Sequence, residues 1–97
     1  MNTTQSVPAI EMLTTSAISL KIRKLREMYS YSQEYVAFQM GISQAAYSKK
    51  ESGRTELSLM CLGKIAEIYQ LSFMDLIGLS TQELLMKVLQ TNASLAA

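Results

Sequence analysis

Ninety-seven residues, 48% of them apolar, with one Pro, four Gly and no Trp, suffice for one modest core and favour helices. The single cysteine, Cys61, excludes an internal disulfide and argues against a secreted disulfide scaffold, while no apolar run approaches the roughly 18 residues of a membrane span. The net charge of +1 hides an asymmetry: seven of the nine basic residues lie between 21 and 54, opposed there only by Glu27, Glu34 and Glu51, so that segment carries +4 and the remainder −3.

A basic half and an acidic half suggest a localised anionic partner, although a solvated helix face explains the same pattern. The N-terminal stretch MNTTQSVPAIEML lacks a basic region followed by a sustained apolar one, so it does not read as a signal peptide, and a cytoplasmic protein is expected. Residues 1–16 read as a flexible tail with a short helical turn after Pro8. A helix is expected from Ser19 to Met28, with Leu20, Ile22, Leu25 and Met28 inward and Lys21, Arg23 and Lys24 mostly elsewhere. YSYS at 29–32 breaks it, and Ser32 caps a second helix whose inner stripe is Tyr35, Val36 and Met40.

Gly41 provides the backbone freedom of a tight helix end, and Ser43 caps a third helix running to Ser52 and stopping at Gly53. Ser58 starts a fourth, with Leu59, Leu62, Ile65, Ala66 and Tyr69 inward. Ser72–Asp75 opens a short fifth helix ending near Gly78, and Ser80–Glu83 is a full capping box for a sixth with a Leu84, Leu85, Val88 and Leu89 stripe. Met28, Met40, Met60 and Cys61 read as core filler, as does Tyr47. The expected fold is all-α: a domain over 17–78 followed by a C-terminal helix and tail over 79–97.

The spaced features IRKLRE, SQEYVAFQMGIS, AAYSKKESGRTELSL and LGKIAEIYQLSFMDLI span residues 18 to about 78. With Gln33, Ala37, Gly41, Ser43, Glu51 and Gly53 in register, this pattern resembles the lambda-repressor/Cro-like (XRE-type) helix-turn-helix regulators. The resemblance implies a five-helix domain in which the 43–52 helix enters a DNA major groove. It implies base contacts from Gln44, Ala45 and Lys49, and Ser48 faces outward with them. Gln33, Ser43, Ser52 and Arg54 are then the expected phosphate contacts. It also implies a buried or half-buried salt bridge between Arg26 and Glu51. Two positions depart from the pattern: Lys50 stands where an apolar residue is usual, and Leu57 where proline is common.

By the same resemblance the partner is double-stranded DNA, bound by a homodimer, and the Leu84–Leu89 stripe either makes the dimer interface or folds back on its own domain. The expected function is a promoter-occupying repressor. An antitoxin holding a toxin, or an interaction module that keeps the fold without DNA binding, are the alternatives. No enzyme, cofactor or metal is expected, for the chain has no histidine, no Cys-rich cluster, no glycine-rich phosphate loop and no clustered acid pair.

Overall fold

The computed structural model describes residues 14–96, and the side chains among them as far as Asn92. The expected N-terminal tail and the helical turn after Pro8 lie almost wholly outside the described residues. Regular structure among the described residues is helical: α1 Thr15–Met28, α2 Gln33–Met40, α3 Gln44–Glu51, α4 Leu59–Ile68, α5 Phe73–Gly78 and α6 Thr81–Ala96. Each helix begins on a Ser or Thr whose hydroxyl accepts the backbone N–H three residues on: Thr14, Ser32, Ser43, Ser58, Ser72 and Ser80. Each such cap typically contributes about 1 kcal/mol. Ser80 is answered by Glu83, whose Oε1 accepts from the Ser80 N–H at 2.9 Å.

The first helix starts earlier than Ser19 because Thr14 provides a cap further upstream. That extra turn brings in Ile18, and the true stripe is Ile18, Ile22 and Leu25, spaced by four and three as a helix face requires. Leu20, two residues from Ile22, cannot share that face and stands half exposed. The same geometry corrects other inward assignments. On α2 the buried set is Val36, Ala37 and Met40, and Tyr35 turns out to lie against the Tyr31 ring at 4.6 Å between centroids. On α4 it is Leu62, Ile65 and Ala66, continued by Tyr69, whereas Leu59 and Met60 of the first turn are each 74% exposed. Met60 is therefore not core filler, and Cys61 is only half buried.

The helices pack α2 on α3 and α4, α1 on α3 and α6, and α4 on α5 around one apolar core. Leu84 and Val88 of α6 are buried in it and Leu85 packs against it, while Leu89 is exposed. The C-terminal stripe thus folds back on its own domain for most of its length.

Lys21, expected on the outside of α1, is instead only 2% exposed. Its ammonium donates to Leu76 O at 2.8 Å and Leu79 O at 2.6 Å, serving carbonyls at the C-terminal end of α5 that have no helical partner. Burial pulls its pKa below the ordinary lysine value, and nearby Glu83 opposes that shift. Hydrogen bonds to a charged group contribute about 1.5–3 kcal/mol, so Lys21→Ala is expected to lower stability by about that amount in urea titration. An unchanged midpoint would show that the tie from α1 to α5 is dispensable.

Four helices end alike. The N–H at 31, 42, 54 and 71 donates to the carbonyl five residues back, and the preceding residue has a left-handed backbone. That residue is Gly41 (φ 75°) or Gly53 (φ 82°) at two of the ends but Ser30 (φ 57°) and Gln70 (φ 54°) at the others. A side chain is disfavoured there, so Ser30→Gly and Gln70→Gly should each raise stability by roughly 0.5–1 kcal/mol. The expected observation is a higher urea midpoint at unchanged slope; a lower midpoint would contradict it.

Candidate nucleic-acid interface

The turn between α2 and α3 consists of Gly41, Ile42 and Ser43. Gly41 N donates to Phe38 O and Ile42 N to Ala37 O, which closes α2 and reverses the chain. Ala37, 2% exposed, keeps the two helices close because it has only a methyl to bury. Ser43 Oγ accepts from Ala46 N at 3.1 Å and starts α3 at once. Tyr47 and Glu51 then turn inward one helical turn apart.

Glu51 sits at the centre of a polar cluster. Arg26 donates to both its oxygens, Nε to Oε2 at 2.7 Å and Nη2 to Oε1 at 2.8 Å. Tyr47 Oη donates to Oε2 at 2.6 Å and Gln33 Nε2 to Oε1 at 3.0 Å. Arg26 also donates from Nη1 to Tyr31 O at 2.9 Å. Burial pushes the Glu51 carboxyl up, but these donors outweigh it and hold its pKa below the usual carboxylate value. The bond to Glu51 raises the Arg26 pKa, while burial and then its own hydrogen bond to Glu51 raise that of the Tyr47 phenol. One carboxylate thereby fixes α1, the start of α2 and the end of α3 relative to each other.

With Tyr47 and Glu51 inward, an adjoining face of α3 is turned outward. Gln44, Ala45 and Lys49 are exposed and Ser48 half buried, together spanning an arc of about 140° at 100° per residue. Lys50 is half buried; its carbonyl accepts from Ser19 Oγ at 2.8 Å and its ammonium reaches Glu56 O at 3.5 Å. Lys50 is thus accommodated at the position where the resemblance implies an apolar residue, and α1 and α3 remain packed together.

The residues expected at phosphates differ in what they can offer. Ser43 accepts as a cap, which leaves its hydroxyl proton to donate outward. Gln33 gives one amide hydrogen to Glu51 and keeps its second. Ser52 donates to Lys49 O at 3.1 Å, so it must turn to reach an anion. That turn costs little, because Arg54 N and Thr55 N also donate to Lys49 O, at 2.8 and 3.3 Å. Arg54 is exposed just beyond.

A helix-turn-helix family model matches residues 22–76, more than half of the chain. The chain belongs to the XRE/lambda-repressor-like helix-turn-helix family. It is thus a DNA-binding regulator of that type, all-α like the family, and its matched segment runs from α1 through α5. Searches of curated proteins and of solved structures returned no match. Among the described residues no group of His, Cys, Asp or Glu is placed to hold a metal ion, and no helix is long and apolar enough to cross a membrane.

Proposed function

We propose that this regulator binds specific double-stranded DNA sites as a homodimer and represses by occupying a promoter. The observation that carries the reading is the outward face of α3: Gln44, Ala45, Ser48 and Lys49 lie side by side on a helix anchored along its buried side by Tyr47 and Glu51. A helix with side chains fits a major groove about 12 Å wide. Gln44 pairs with adenine N6 and N7, Lys49 with guanine O6 and N7, and Ala45 meets a thymine methyl. Gln33, Ser43, Ser52 and Arg54 hold phosphates on either side and set the register of α3.

One such domain covers little DNA, and two on half-sites about one helical turn apart give the needed discrimination. Leu84 and Val88 are spent on the core, which leaves Met86 and Leu89 as the apolar part of α6 open to a second copy. A second reading is favoured by Phe38, Leu59, Met60 and Met74, each at least 70% exposed: a protein partner such as a toxin, held by the same domain.

Backbone amide shifts on adding duplex DNA of mixed sequence test the proposal. Changes are expected at 33 and 43–54. Changes confined to α4–α6, or none at all, would overturn it and favour the protein partner.

A further inference from the structure

Arg23 lies on α1 beside the C-terminal end of α3, with its side chain 47% exposed. It lines an open groove with Ser16, Ser19, Leu20, Glu51 and Ser52. Its Nε is 3.9 Å from Glu51 Oε1, too far for a hydrogen bond. Glu51 does not need it: each carboxylate oxygen already accepts twice, Oε2 from Arg26 and Tyr47 and Oε1 from Arg26 and Gln33. Two guanidinium groups thus face a single carboxylate. Arg26 is held inside, with its side chain 17% exposed, and the surplus positive charge is presented to solvent by Arg23.

Its position relates it to the expected backbone contacts. Arg23 approaches the same Glu51 oxygen that Gln33 occupies at the start of α2, and it shares its groove with Ser52 at the end of α3. It therefore stands between two residues assigned to phosphates from opposite ends of the helix-turn-helix. A guanidinium carries five donors in a plane, which suits two oxygens of one phosphate better than an ammonium does.

We infer that Arg23 binds a DNA backbone phosphate between Gln33 and Ser52, an additional contact made from α1. The inference rests on the DNA-binding reading above. Arg23 reads no base; it adds salt-dependent affinity and helps hold α3 in register.

The test is a fluorescence-anisotropy titration of the full chain with a mixed-sequence duplex about three helical turns long, repeated between about 50 and 200 mM salt. Arg23→Gln should make the plot of log K against log salt shallower by about 0.9, for any duplex sequence. Lys24→Gln removes the same charge one residue along, from a lysine 3.6 Å from Glu27, and should leave the slope unchanged. The thermal midpoint of Arg23→Gln should match wild type, since Glu51 keeps its four hydrogen bonds. Wild-type binding with an unaltered slope for Arg23→Gln, or an equal loss in Lys24→Gln, overturns the inference alone. A fall in midpoint overturns it by making Arg23 a structural partner of Glu51. Failure of the wild-type chain to bind the duplex would remove the DNA reading itself.

Discussion

Glu51→Ala is expected to lower stability by about 3–5 kcal/mol, the cost typical of removing one partner from a buried ion pair. The loss has two parts. Arg26 keeps its charge in a half-buried setting with only Tyr31 O to serve, and the Tyr47 hydroxyl, in a residue 1% exposed, loses its acceptor. Small domains have about 5–15 kcal/mol in total, so a shift of this size removes a large share of the margin. Thermal or urea unfolding reads it directly. Pairing the change with Arg26→Met should recover part of the loss, because no charge is then stranded. A double variant less stable than both singles would show that the pair acts through packing alone.

The same carboxylate has a pH signature. Its pKa in the folded chain lies below the ordinary value of 4.5, so unfolding raises its proton affinity. The stabilisation is fully present above about pH 4.5 and is lost as pH falls through the folded pKa. Asp75, held low by its bond with Lys87, acts in the same direction from a partly exposed position at the surface. Comparing wild type with Glu51→Gln separates the two: the wild-type stability should fall more steeply below pH 4.5, and parallel curves would refute the assignment.

Lys49→Ala should weaken operator binding by about 1–3 kcal/mol, or roughly 5- to 150-fold, and relax preference at one base position. Arg54→Ala should weaken binding to every duplex alike and lower the salt slope by about 0.9. Both residues are exposed, so neither change should disturb folding. Measured against a set of duplexes differing by single base pairs, the two variants should give different profiles. Identical profiles would mean that α3 reads no bases.

What could be read without coordinates was mostly local. Serine caps at 32, 43, 58, 72 and 80 mark helix starts because the cap and its N–H lie three residues apart, and Gly41 and Gly53 mark ends because the left-handed backbone favours glycine. The outward arc of α3 followed from placing Tyr47 inside. What depended on distant partners was not legible. Lys21 is buried only because α5 brings two carbonyls to it from more than fifty residues away. Leu59 and Met60 lie on an exposed first turn of α4, and apolar character alone does not reveal that. In the candidate site, the turn of Ser52 toward Lys49 O and the Gln33 bond to Glu51 depend on how α2 and α3 cross. The charge of Arg23 is not legible as surplus in the sequence, because it is so only where Glu51 already accepts four hydrogen bonds.

If α3 reads sequence in a major groove, the protein selects particular duplexes. Selection of duplexes from a random pool at near-physiological salt, with sequencing of those retained, tests it most directly. An enriched inverted repeat with half-sites about one helical turn apart is expected, and its consensus should change when Gln44 or Lys49 is replaced. A pool that stays random, held only by weak salt-sensitive binding, would contradict it.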